Sequence, residues 1–230
     1  MTTASDSVAL QCQDIEIRAS FRSLLAGITE SFHSGEKVAL IGPNGIGKTS
    51  FMRVLAGISS PYRGEVQCFG EQLWPHRNIK HEHNCVFLAS QPALFFDLSL
   101  LDNFQFFLKS FNKSFSLQEV QAALKEVSLE GRDEQAARTL SSGQKRRLTL
   151  AAMKLLRPSI VLADEPTNGL DSVGHALCLD MFEELAEQGS CVVVATHDEK
   201  LMDVCGRSVD MQNFVPKRDP NKKKILRRLL

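Results

Sequence analysis

No apolar run in the 230-residue chain reaches the length of a membrane-spanning helix, so any membrane process it serves takes its path through the lipid from another chain. The six cysteines, Cys12, Cys68, Cys85, Cys178, Cys191 and Cys205, are scattered and form no CxxC pair, which gives no disulfide framework. The start of the chain does not read as a signal peptide, and the thiols are expected to be small buried side chains in a reducing compartment. Internal repeats and low-complexity linkers are absent as well, which excludes solenoids. Net charge is also missing: 27 Lys/Arg offset 27 Asp/Glu.

That zero hides an uneven distribution. From Lys217 onward, Lys217, Arg218, Lys222, Lys223, Lys224, Arg227 and Arg228 stand against one acid, Asp219, so a basic tail follows an acidic body. Interleaved Ile225, Leu226, Leu229 and Leu230 permit a short amphipathic turn at a surface, and a solvated end is the plainer reading. His81-Glu82-His83 lies among Lys80 and Asn84, and reads as an exposed turn rather than a metal site. With 43% hydrophobic and 23% charged residues, the chain can bury a real core and is not disordered.

Strands are expected over Val8 to Ile17, Leu24 to Phe32, Lys37 to Ile41, Gly64 to Phe69, Cys85 to Leu88, Ser159 to Ala163 and Cys191 to Ala195. The uninterrupted apolar run at Ser159 to Ala163 suits a parallel sheet buried on both faces. Helices are expected over Thr49 to Ala56, Leu117 to Val127, the Ser141 region to Leu156, His175 to Gln188 and Lys200 to Cys205. Seven of the fourteen phenylalanines lie between Ala93 and Phe115. Phe104, Phe107, Phe111 and Phe115 share helical spacing and read as helix core, whereas Phe95 and Phe96 lie in a loop and are candidates for docking a partner.

The chemistry starts at "GPNGIGKT", Gly42 to Thr49, which follows a predicted strand and precedes a predicted helix. In that setting glycines let backbone N–H groups wrap a phosphate chain, Lys48 reaches the β and γ phosphates, and Thr49 offers its hydroxyl to Mg²⁺. A second site ends the apolar run Ile160 to Ala163. There Asp164 can hold the Mg²⁺ hydration shell beside Thr49, and Glu165 can polarise a water toward the γ-phosphate. Gln91 and His197 each follow a predicted strand, where ligands collect at the carboxyl edge of an open α/β sheet.

"GPNGIGKT", "SQP", "LSSGQ", "VLADEP", "GLD" and "ATHD" occur in the order found in ATP-binding subunits of ABC transporters, and the likeness runs from about residue 8 to 205. The resemblance implies an α/β P-loop NTPase of the ABC ATPase type, with a RecA-like core, an N-terminal antiparallel β subdomain and an inserted helical subdomain. On that pattern the single ATP-binding domain, residues 1–230, divides into a core of 1–92 and 158–210, a helical insert of 93–157 carrying the signature, and the tail of 211–230. The nucleotide set is Gly42, Pro43, Asn44, Gly45, Ile46, Gly47, Lys48, Thr49 and Ser50, joined by Ser141, Ser142, Gly143, Gln144 and the dimer-loop residue Asp171. Glu165, His197, Gln91 and Lys48 are the catalytic set, and Thr49, Gln91 and Asp164 the metal set.

The same resemblance implies ATP and Mg²⁺ as cofactors, and a head-to-tail sandwich with a second copy or a homologous ATPase domain, each phosphate loop closed by the partner's signature. It also implies integral membrane transporter subunits as partners, no nucleic acid, and a peripheral place on the cytoplasmic face of the inner or plasma membrane, or on an organelle inner membrane in a eukaryote. The local words "GKTSFMRVLAG", "ASQPALFFDLSLLDNFQFF" and "LSSGQKRR" resemble the haem-exporter ATPases of cytochrome c maturation, while "VLADEPTNGLD" departs toward general exporter ATPases of drugs, lipids or peptides. A soluble ABC ATPase acting on nucleic acid or ribosomes, and a nucleotide-binding regulatory module, remain as other classes.

Two local features stay open. The signature carries Ser142 where the commonest family form has glycine, and Lys145, Arg146 and Arg147 behind it read as a solvated face or scaffold contacts. Many relatives place an aromatic platform for adenine near the start of the domain. Here Phe21 is the nearest aromatic, and Arg18 offers a cation instead.

Overall fold

The computed structural model describes residues 7–74 and 85–216, so the His81–His83 turn and the basic stretch from Lys217 lie outside the described residues. Two sheets organise them. A four-stranded antiparallel sheet has the order β2 (Arg22–His33), β1 (Val8–Ala19), β4 (Arg63–Cys68), β5 (Glu71–Trp74). A five-stranded sheet has the order β6 (Cys85–Leu88), β7 (Ile160–Asp164), β8 (Cys191–Ala195), β3 (Lys37–Ile41), β9 (Arg207–Asp210), and every pairing in it is parallel. This is the ABC ATPase fold expected from the motifs.

Alternation along the parallel strands explains why both of its faces are covered. Val161, Ala163, Val192 and Val194 point into one apolar cluster, and Ile160, Leu162, Val193 and Ala195 into another. The first cluster is completed by α2 (Leu100–Ser110), α3 (Leu117–Glu126), α4 (Ser142–Leu156) and α5 (Ser172–Glu187). The second is completed by α1 (Lys48–Leu55) and the inner face of the antiparallel sheet, through Leu10, Ile15, Ile28 and Phe32. Each fully buried Val or Leu contributes about 1.5–3 kcal/mol, so neither face tolerates exposure.

Local caps set the helix boundaries. Ser116 and Glu119 form a reciprocal capping box at the start of α3, and Ser99 accepts from the Asp102 N–H at the start of α2. These caps correct the phenylalanine reading. Phe104 is buried within α2, but the helix ends at Ser110, Phe111 is its cap, and Asn112 turns the chain through φ 54°. Phe107, Phe111 and Phe115 still pack at the margin of the same core, but from a helix, its cap and the following loop rather than one helical stripe.

Other expectations shift at their ends. The helix expected from His175 begins at Ser172, because the Asp171 carboxylate accepts from the Gly174 N–H. The one expected over Lys200 to Cys205 is the shorter α6 (Glu199–Asp203), capped by Asp198. Strands β5 and β9 were not legible, being short and weakly alternating. All six cysteines are free; Cys12, Cys68, Cys178 and Cys191 are buried, and Cys85 and Cys205 half-buried. Burial pushes the Cys12 thiol up to about 12, which keeps it protonated.

Candidate functional site

Parallel pairing brings four strand ends to one edge. Leu88 pairs with Ala163, Asp164 with Ala195, and Leu40 with Ala195's position in β8, so the chain segments that follow β6, β7, β8 and β3 leave the sheet together. Those segments carry Gln91, Glu165, His197 and the phosphate loop. Ligands gather at such an edge because side chains and helix N-termini converge there without blocking the sheet.

The phosphate loop needs its glycines for space as well as dihedral freedom. Gly47 caps α1 at φ 121°, and a Cβ on it would lie 2.9 Å from Leu25 Cδ1. Directly after it Lys48, almost fully buried, donates from Nζ to the Gly42 carbonyl at 2.6 Å. Burial holds the Lys48 ammonium below its ordinary value, opposed by the nearby Glu165 and Asp164 carboxylates. Thr49 Oγ1 donates to Asp164 Oδ2 at 2.8 Å, which joins the first turn of α1 to the end of β7. That hydroxyl and carboxylate are two hard oxygen donors, the chemistry Mg²⁺ prefers, and such a site takes its other ligands from phosphate and water.

Glu165 sits at φ 46°, the left-handed region, with its N–H bonded to the Ala195 carbonyl at 2.8 Å. This turn carries the acid off the strand while the backbone bond to β8 keeps it at the edge. His197 Nε2 lies 2.7 Å from Asn44 Oδ1, 3.1 Å from Lys48 Nζ and 3.7 Å from Glu165 Oε1. One nitrogen cannot both donate to Asn44 and accept from Lys48, so the imidazole has two competing settings. A strand-end histidine therefore connects the phosphate loop with Glu165.

Ser141 and Gln144 lie elsewhere. Among the described residues no hydrogen bond or ion pair joins Ser141, Ser142, Gly143 or Gln144 to the phosphate loop of the same chain. Ser141 caps α4 and forms a reciprocal capping box with Gln144, leaving Ser141 and Ser142 exposed. Gly143 has a reason within the chain: a Cβ there would lie 2.8 Å from the Gly169 carbonyl oxygen. Asp171 caps α5 and pairs with Arg147, and hydrogen bonds from the Gly174 N–H and Arg147 hold its carboxyl below the usual value.

The solvated-face reading of the basic triplet is corrected. Lys145 Nζ lies 4.7 Å from the Phe96 ring centroid, Arg146 is 1% exposed, and Arg147 meets Asp171. Arg146 donates to the carbonyls of Ala89, at 2.8 Å, and Ser90. The helix is packed on several sides, so charge alone misleads. The usable signal was position: Arg146 stands four residues before Leu150 and seven before Met153, both buried, and extends their stripe.

Gln91 is exposed in the loop after β6, whose next turn borders a groove of about 400 Å³. Pro92, Leu94, Phe95, Phe104, Phe106 and Arg146 are among its walls, with the Phe95 and Phe106 rings edge to face at 4.5 Å. In the antiparallel sheet, Phe21 is fully exposed in the β1–β2 turn, whereas the Arg18 guanidinium lies 3.3 Å from the Tyr62 ring centroid. Arg18 and Tyr62 border a cleft of about 470 Å³ with Ser50 and Arg53 of α1. Tyr62 was not singled out by sequence, because its partner is 44 residues away and joins it only in the fold.

An ABC transporter family model matches residues 25–168. A cytochrome c biogenesis ATP-binding export protein from Shewanella frigidimarina is 32% identical over 200 residues, covering 86% of this chain and 91% of that protein. An energy-coupling factor transporter ATP-binding protein from Mycoplasma genitalium is 32% identical over 195 residues, 81% of this chain and 70% of that protein. Among solved structures, a dimeric post-hydrolysis ATP-binding cassette, MJ0796 bound to ADP and Pi, superposes with a TM-score of 0.79 at 22% identity, over 91% of this chain and 97% of that one. With the phosphate loop, the strand-end acids and the capped signature helix in one fold, the chain belongs to the ABC transporter family as an ATP-binding subunit.

Proposed function

We propose that the chain binds MgATP at the edge described, hydrolyses it in a head-to-tail dimer, and drives separate membrane subunits that export haem for cytochrome c biogenesis. The observation that carries the reading is the convergence of Lys48, Thr49, Asp164, Glu165 and His197 through contacts of 2.6 to 3.7 Å. Lys48 and the loop N–H groups hold phosphate charge, helped by the N-terminal dipole of α1. When bound, Mg²⁺ would neutralise phosphate charge at Thr49 and Asp164, with Gln91 as its further contact. Glu165 orients a water for in-line attack, and His197 holds the γ-phosphate end against Lys48 and Glu165.

Ser141, Ser142, Gly143 and Gln144 belong to the second protomer's nucleotide in this reading. The exposure of Ser141 and Ser142 at the amino end of the 15-residue α4 supports that role, because N–H groups and helix dipole then face phosphate across an interface. Asp171, braced by Arg147, would stand at the same interface. For the base, Arg18 stacked on Tyr62 beside Ser50 takes the place of an aromatic platform, and exposed Phe21 does not.

Residues 93–157 act as the arm that meets the membrane subunits. The apolar groove, with Phe95 and Phe96 about half exposed, suits an amphipathic helix of a partner. No helix of the described residues is long and apolar enough to cross a membrane, and the partners would hold the chain at the cytoplasmic face. The name of the Shewanella relative supports export in cytochrome c biogenesis, and the glutamine-loop words that resemble haem-exporter ATPases support haem as cargo. Purifying the native chain from membranes tests this: a co-purifying integral membrane pair with haem absorbance is the expected result, and Phe95→Ser with Phe96→Ser releases it. Retention by the double variant sinks the docking assignment, and a haem-free complex sinks the cargo.

A further inference from the structure

Arg146 is a cation placed where the sequence gives no reason for one. It is 1% exposed, burial pulls its pKa below the ordinary value, and its Nε is buried without a partner among the described residues. Its Nη1 and Nη2 donate to the Ala89 and Ser90 carbonyls, the two residues directly before Gln91. A buried guanidinium holds its acceptors because leaving it unpaired costs more than any local rearrangement regains. The rigid planar fork suits two adjacent carbonyls in a way an ammonium does not.

The far end of the same loop is fastened to the same helix. Lys145 lies over the Phe96 ring, so Ala89–Ser90 on one side of Gln91 and Phe96 on the other both rest on the first two turns of α4. Arg146 also lines the groove, between the loop and α2. Ser141 caps the helix five residues before Arg146.

We infer that Arg146 is a positioning residue for Gln91, fixing the Ala89–Ser90 segment to α4 so that the glutamine loop and the Ser141 cap move as one unit. A helix pressed into the groove then displaces both together, and a change at the nucleotide reaches the groove by the same strut. The inference rests on the reading of Gln91 as a metal and water contact.

Steady-state ATP hydrolysis by the full chain tests it in a double-mutant cycle of Arg146→Met, Gln91→Ala and the pair, with circular dichroism melts for folding. Arg146→Met is expected to lower kcat about tenfold with the KM for ATP within about twofold, and to lower it no further in the Gln91→Ala background. Arg146→Lys, which keeps the charge but loses the fork, should recover part of the loss; if Arg146→Met does not fold, Arg146→Lys takes its place in the cycle. Multiplying effects of the two positions, or a raised KM at unchanged kcat, overturn the inference alone. A Gln91→Ala variant with the parent kcat overturns the reading of Gln91 and the inference with it.

Discussion

Gly143 and Gly169 meet backbone to backbone, with room for no side chain between them: a Cβ on Gly143 would lie 2.8 Å from the Gly169 carbonyl oxygen. The opposing atom is backbone rather than the flexible end of a side chain. Gly174 likewise clears Arg147 Nε, at 3.0 Å from a built Cβ, so that Arg147 can reach Asp171. The signature helix is thus seated on the segment that links β7 to α5.

Gly143→Ala is therefore expected to cost about 1–3 kcal/mol of stability through overpacking and to slow ATP turnover. Nucleotide binding to the separate protomer should stay near the parent value, since Lys48 and Thr49 lie in another element. Thermal melts and calorimetric titration with ATP check both halves. A variant with parent melting and turnover would show that the close approach relaxes without consequence.

Asp164→Asn keeps an oxygen for Thr49 Oγ1 but loses the carboxylate charge. Binding of ATP in excess chelator should be unchanged, while the gain in affinity on adding Mg²⁺ falls by about 10- to 100-fold. Titration with and without the metal reads this directly. An undiminished Mg²⁺ effect would remove Asp164 from the metal set.

Tyr62→Ala removes the ring beneath Arg18. ATP affinity is expected to weaken about tenfold, on the scale of one base stacking contact, and inorganic triphosphate, which has no base, should bind as before. Equal losses for both ligands would place the base elsewhere.

Acid stability follows from Glu36. Its burial opposes ionisation, but hydrogen bonds from Arg207 and the His33 N–H outweigh that and hold its carboxyl below the ordinary 4.5. A depressed folded value stabilises the protein above the unfolded pKa, and that contribution disappears as pH falls through the folded one. Denaturant unfolding of the parent should lose stability below about pH 4.5, and Glu36→Gln should flatten part of that slope while costing about 1 kcal/mol at pH 7. An identical slope in the variant would exclude Glu36 as a source.

Four of the five parallel strands, all but β9, were legible because they are short apolar runs that lead directly into site segments, as Lys37–Ile41 leads into Gly42 and Ile160–Ala163 into Asp164. Although the Asp171 cap of α5 was missed, the start of α4 was legible from its Ser141 cap. Arg146, Tyr62 and the Gly143–Gly169 contact were not. Each depends on a partner 26 to 57 residues away that local spacing does not name, even where, as for Arg146, the spacing places the residue on a buried stripe. The phenylalanine set failed for the converse reason: the helical spacing runs on through Phe111 to Phe115 although the helix ends at Ser110 and Asn112 turns the chain.

The central claim is that this edge binds ATP, that ATP joins two copies through the partner's Ser141 signature, and that Glu165 ends the union by directing hydrolysis. Sedimentation velocity of Glu165→Gln measures it most directly. With MgATP the variant should sediment as a dimer and without nucleotide as a monomer, and adding Ser141→Arg should return it to a monomer that still binds ATP. A Glu165→Gln protein that binds MgATP yet remains monomeric at saturating nucleotide would contradict the account.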